Sequence, residues 1–301
     1  MVNDKYLLVV VGATAVGKTA TCIKLARSLN AEIVSADSRQ FYREMEIGTA
    51  KPDEEELNAA KHHFINSHSI TEDISAGEYE FLALVKLNDL FEKHKFVILT
   101  GGSGLYIDAV TQGFADIPKI DPSVREELNA SLASKGIDHL VERLKALDPD
   151  YYDKVDKKNP HRVMRALEVC IGTGKPYSQQ RKPPKKDRPF QIIKIGLELP
   201  REALYERINT RMDKMIEQGL FDEAKQLEPY KNHNALQTVG YKEIFDYFDG
   251  KYDKEEAVRL LKRNTRRYAK RQMTWFKRDQ DIRWYSPDDY QKIIAYVESV
   301  T

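Results

Sequence analysis

Eight residues, Gly12 to Thr19, read GATAVGKT. An apolar run, Tyr6 to Val11 (YLLVVV), leads into them, and a stretch with helical spacing, Ala20 to Leu29, leads out. Strand, glycine loop, Lys-Thr and helix in this order form the context that makes G-x-x-x-x-G-K-[ST] a phosphate-binding loop. Gly12 and Gly17 let the backbone fold closely around a polyphosphate. Ala13, Thr14, Ala15 and Val16 lie between them, and successive N–H groups with the helix N-terminus point at an anion. Lys18 adds a mobile positive charge, and the Thr19 hydroxyl can hold a magnesium ion.

Three further apolar runs, Glu32–Ser35, Phe96–Thr100 and Ile192–Leu197, read as buried parallel strands. Helical stretches separate the first three strands. The pattern predicts a doubly wound α/β fold, a P-loop NTPase-like parallel sheet with flanking helices. Ser75-x-x-Glu78 predicts a capping box opening a helix to about His94. Ligands on such sheets sit beyond the C-terminal strand ends, which brings Asp37 and Gly101-Gly102-Ser103 close to the phosphate loop.

Between the third and fourth strands lies an excursion, residues 113–190, too long and too helical for an ordinary crossover. Asp121-Pro122-Ser123 starts one helix. Residues 137–147 read as a second, 160–171 as a third, and the basic, proline-rich RKPPKKDRP (181–189) ends the excursion. An inserted helical domain is expected there, between a first core part (1–112) and a returning part (191–301).

In 301 residues, 48 Lys and Arg balance 47 Asp and Glu, so net charge selects no partner. The charge is segregated instead. In the helical stretch Glu255 to Arg278, Arg259, Arg263, Arg266, Lys270 and Lys277 fall along one side, with Leu261, Tyr268, Trp275 and Phe276 elsewhere. A second helical stretch, Arg201 to Gly219, follows the fourth strand. Cys22 and Cys170 lack metal-ligand spacing, so neither a disulfide framework nor a zinc site is expected. No apolar run approaches membrane-spanning length, and the N-terminus enters the first strand at once. A soluble, cytoplasmic monomer that touches no membrane is expected.

A phosphate loop alone points to nucleotide hydrolysis or phosphoryl transfer, which usually places a magnesium-holding aspartate at the end of an apolar strand. Here FVILT runs into Gly-Gly-Ser-Gly with no acid. The well-placed acid is Asp37 in SADSRQ, as a general base, a metal support or a turn cap. No N-K-x-D pattern is present, which disfavours a GTPase.

Beyond the loop stand SADSRQFYREMEIGTAKP (35–52), GGSGLY (101–106), NPHRVMRALEV (159–169), GYKEI (240–244) and KRQMTWFKR (270–278). In this order, over nearly the whole chain, they resemble the tRNA dimethylallyltransferases, also called tRNA isopentenyltransferases. D-S-x-x-x-Y followed by D/E-I-G-T-A-K-P is the specific part. Glu46, Ser103 and His161 depart from the common Asp, Thr and Gln, with polarity kept.

The resemblance implies that the loop grips the diphosphate of dimethylallyl diphosphate with Mg²⁺, and that Thr19 and Arg211 support the leaving group. Asp37 would take the proton from the exocyclic amine of the adenine 3′-adjacent to the anticodon. The anticodon stem-loop of tRNA would lie between core and inserted domain. Its contacts would include Asp37, Ser38, Arg39, Gln40, Ser103 and Arg125, then His161, Arg162, Val163, Met164 and Arg165. Gln237, Gly240, Tyr241, Lys242, Arg271, Gln272 and Trp275 would add more. Val163 and Met164 also read as the apolar face of their helix.

Three other readings share these features. A P-loop kinase of a small molecule or nucleotide would transfer γ-phosphate from ATP. A prenyltransferase of free adenine nucleotides would have less use for the inserted domain. A non-catalytic RNA-binding module would keep its function after Lys18→Ala or Asp37→Ala.

Overall fold

All seven residues of the first strand, β1 (Tyr6–Gly12), are buried. An apolar run without alternation requires this, because the strand has neighbours on both edges and cover on both faces. The computed structural model describes residues 4–115, 117–181 and 187–301. The chain divides into two compact units, Met1–Thr111 with Arg188–Thr301, and Gln112–Asp187.

The first unit begins with β1, α1 (Lys18–Leu29), β2 (Glu32–Ser35), α2 (Glu54–Ala59), β3 (His62–His63), α3 (Ala76–Phe91), β4 (Phe96–Gly101) and α4 (Gly104–Thr111). The second unit holds α5 (Pro122–Leu147), α6 (Pro149–Tyr152), α7 (Pro160–Thr173) and α8 (Tyr177–Gln180). The first resumes with β5 (Gln191–Leu197), α9 (Arg201–Glu217), α10 (Leu220–Leu227), α11 (Lys242–Phe248), α12 (Lys254–Phe276), β6 (Arg283–Tyr285) and α13 (Tyr290–Ser299).

The six strands order as β3-β2-β4-β1-β5-β6, and every neighbouring pair is parallel. Side chains alternate across this sheet and build two cores. Leu7, Val9 and Val11 join Val97 and Leu99 against Tyr79, Ala83 and Leu87 of α3. Leu8 and Val10 join Ile98 and Ile195 against Cys22 and Leu25 of α1 and Ile293 and Val297 of α13. This is the expected doubly wound, P-loop NTPase-like fold.

The four expected strands stand where the apolar runs lie. The edge strands β3 and β6, with sequences HH and RWY, were not anticipated. An edge strand pairs on one side only and needs no apolar run. The Ser75 capping box forms: its side chain accepts from Glu78 N–H, and Glu78 accepts from Ser75 N–H at 2.8 Å. That helix ends at Phe91, short of His94, whose Nδ1 lies 2.7 Å from the Asn30 carbonyl.

In the helical unit, α5 breaks at Gly136 (φ 77°), which explains the two separate helical readings of this stretch. Asn159 caps α7 by accepting from Arg162 N–H, and Pro160 fills the first turn. Leu128, Leu140 and Leu144 of α5 pack with Val163, Met164 and Leu167 of α7. Buried Asp148 accepts from Tyr151 N–H at 3.0 Å, Ser178 N–H at 2.6 Å and Ser178 O–H at 2.7 Å. Residues 182–186 of the basic proline-rich stretch lie outside the described residues. Among the described residues no helix is long and apolar enough to cross a membrane.

Candidate active site

A cleft of about 610 Å³ opens at the C-terminal ends of the strands, lined by the phosphate loop, Asp37, and Arg207 and Arg211 of α9. Gly12 leaves β1 at φ 153°, and a Cβ there would sit 2.6 Å from the Leu197 carbonyl oxygen. Its lack of a side chain thus answers to neighbouring β5 as well as to an anion. Gly17 then caps α1 at φ 112°.

Lys18 Nζ donates to the carbonyls of Gly12 at 3.0 Å and Ala13 at 2.9 Å. Burial lowers its pKa to about 8; Asp37 opposes that shift and Arg211 adds to it. Arg211 donates to the Thr14 hydroxyl. Burial also lowers Arg211 from its ordinary value, Asp37 raises it and Arg207 lowers it further. Two desolvated cations therefore face one carboxylate, and a bound polyanion would relieve the strain of holding both charged. Thr19 lines the same cleft.

Asp37 sits just beyond β2. Its Oδ1 accepts from Arg39 N–H at 3.0 Å, and Tyr79 O–H donates to the Ser35 carbonyl at 2.7 Å, fixing the strand end. Ser38 N–H donates to Ser103 Oγ at 3.0 Å, tying this loop to the turn after β4. Arg39 donates to the Asn234 carbonyl at 3.1 Å, and Gln40 to the carbonyls of Thr49 at 3.3 Å and Ala50 at 3.1 Å. The side chains of Ser38, Arg39, Gln40 and Ser103 thus hold the walls of the cleft together.

Several of the residues expected to touch RNA are buried. Tyr241 is fully buried, with its hydroxyl donating to Glu223 at 2.5 Å. Val163 and Met164 lie in the core of the helical unit at 0% and 3% exposure. Apolar packing surrounds all three side chains. Gln272 is also buried. Trp275 is half-buried; its indole donates to Asp108 at 3.0 Å and Arg278 lies 4.2 Å from its ring centroid. Gly240 is buried, and its N–H donates to Glu243 at 2.9 Å. Gln237, Lys242 and Arg271 are exposed. In the helical unit, His161, Arg162 and Arg165 are exposed near the start of α7, while Arg125 and Arg165 share Glu168 at 3.4 and 3.1 Å.

Two residues were missed by sequence reasoning. Glu223 of α10 accepts from the N–H groups of Glu46 at 2.9 Å, Ile47 at 2.7 Å and Gly48 at 2.9 Å. It fixes the E-I-G-T-A-K-P turn from far along the chain, and no local pattern marks it. Burial holds the Tyr268 phenol of α12 above the ordinary tyrosine range, with the charge of Asp37 adding to that shift and Arg39 opposing it. Among the described residues no group of three or more His, Cys, Asp or Glu could hold a metal ion.

Parallel sheet, phosphate loop and cationic cleft define a protein of the P-loop NTPase-like fold. A profile of the IPP transferase family matches residues 40–279. A tRNA dimethylallyltransferase of Christiangramia forsetii is 53% identical over 98% of both chains. One of Flavobacterium johnsoniae is 52% identical over 97% of both. The crystal structure of a tRNA isopentenylpyrophosphate transferase from Bacillus halodurans superposes with a TM-score of 0.72 at 39% identity, covering 98% of this chain and 96% of that one. A eukaryotic dimethylallyltransferase described as acting on tRNA gives a TM-score of 0.77 at 27% identity, covering 94% and 74%. This chain belongs to the IPP transferase family.

Proposed function

We propose that this chain transfers a dimethylallyl group from dimethylallyl diphosphate to the exocyclic amine of the adenine on the 3′ side of the anticodon in tRNA. One observation carries the reading: the phosphate loop and Asp37 line a single cleft, while β4 ends in glycines and not in the acid that phosphoryl transfer uses. The same absence weighs against the kinase reading.

In the reaction, the donor's carbon–oxygen bond breaks and diphosphate leaves with the bonding pair. The amine nitrogen supplies the pair for the new carbon–nitrogen bond, and its proton passes to the Asp37 carboxylate. Loop amides, Lys18 and Arg211 meet the charge that accumulates on the leaving group. Thr19 would hold Mg²⁺. Its hydroxyl, with Asp37 nearby and donor oxygens to complete the set, is the hard oxygen chemistry that ion takes. Bound there, the ion supplies further neutralisation of the diphosphate.

Exposed Arg162, Arg165 and His161 with Arg125 in one unit, and Arg271, Lys242 and Gln237 in the other, bind the anticodon stem-loop. RNA loops are held by cations on phosphates and by stacking and hydrogen bonds on splayed bases. The enzyme acts as a monomer in the cytoplasm. The test is Asp37→Ala, which should cost turnover about a hundredfold or more while tRNA binding falls far less. Arg211→Ala should chiefly weaken use of the diphosphate donor. Wild-type turnover in either variant removes the role assigned to it.

A further inference from the structure

We infer that Gln272 is a positioning residue for the phosphate loop and not a contact to RNA. The inference rests on the reading of the cleft as a diphosphate site. Gln272 lies on α12, the helix that exposes Lys270 and Arg271, yet it is itself 5% exposed. Its Oε1 accepts from Thr14 N–H at 2.8 Å, and its Nε2 donates to the Gly102 carbonyl at 2.9 Å. One contact needs an acceptor and the other a donor, so together they permit a single orientation of the amide. A Cβ on Gly102 would stand 2.3 Å from Nε2, so the turn after β4 makes room for this side chain by having none of its own.

Thr14 is thereby held from two helices. α12 takes its amide through Gln272, and Arg211 of α9 donates to its hydroxyl. A loop that presents amides to an anion binds more tightly when its conformation is set beforehand, because less ordering remains to be done on binding. Gln272 sets it by joining α12, the β4–α4 turn and the loop through one planar group. The sequence motif K-R-Q-x-T-W thus splits by direction: Arg271 faces solvent and Gln272 faces the loop.

The test compares wild type with Gln272→Met, which keeps the side chain's bulk and removes both bonds. Gly102→Ala, which displaces Gln272 from the other partner, serves as an independent perturbation. Binding of inorganic diphosphate is measured by titration calorimetry, tRNA binding at fixed salt, and the KM for the prenyl donor separately from kcat. Both variants should weaken diphosphate binding and raise the donor KM roughly tenfold, the loss expected when a buried donor is left unpaired. The tRNA affinity of both, and the kcat of Gln272→Met at saturating donor, should stay within about threefold of wild type. Wild-type diphosphate affinity in Gln272→Met overturns the inference, as does a loss of tRNA binding that matches or exceeds the loss of diphosphate binding. Absence of prenyl transfer by the wild type would instead remove the proposed reaction. The diphosphate titration needs no turnover and would still decide the role of Gln272.

Discussion

Lys18 is the residue on which burial acts most directly. Its pKa is lowered to about 8 because the folded cleft desolvates the ammonium and sets Arg211 beside it, against the pull of Asp37. Below that value the side chain is charged and grips a diphosphate; above it the free enzyme carries a neutral amine. The kcat/KM for the prenyl donor, which reports the free enzyme, should therefore fall as pH rises through about 8. A profile that stays flat from about pH 7 to about pH 9 would remove Lys18 from donor binding. Asp37 is fixed by its own turn and by the tether from Tyr79 to the strand end, so its position owes little to the ligand.

At the scale of elements, the turn that follows Asp37 is built from a distance. Glu223 on α10 gathers three backbone amides of residues 46–48 and the Tyr241 hydroxyl. Glu223→Ala leaves those donors without a protein acceptor and should cost about 3 kcal/mol. Scanning calorimetry should then find the melting temperature lower by roughly 6–12 °C. An unchanged melting temperature would mean that water replaces the carboxylate without loss. This contact also marks the limit of what the sequence discloses. β1, β2, β4 and β5 were legible because buried parallel strands are continuous apolar runs, and α7 because Asn-Pro opens an apolar stripe. β3 and β6 were not, since two or three polar or aromatic residues on an edge carry no such pattern. Motif residues could be placed near the cleft, but not which way they point. Tyr241 in GYKEI and Gln272 in KRQMTWFKR turn inward, where only the packing of distant elements reveals it.

For the whole molecule, near-zero net charge is no obstacle to binding a polyanion, because the cations are gathered on particular elements. If the exposed arginines and lysines of α7 and α12 neutralise about four phosphates, affinity for tRNA should drop roughly a hundredfold over a fourfold rise in salt. A flat salt dependence in a filter-binding series would contradict that assignment. In the proposed reaction a kinase-like phosphate loop releases diphosphate from an allylic donor and the five-carbon group passes to a base in tRNA. That reaction is tested most directly by mass spectrometry of the nucleosides of unmodified tRNA after incubation with the protein, dimethylallyl diphosphate and Mg²⁺. One adenosine, on the 3′ side of the anticodon, should be heavier by a single C5H8 unit, and none in the reaction without protein. Unmodified adenosine throughout would contradict it, and so would phosphate transfer from ATP in its place.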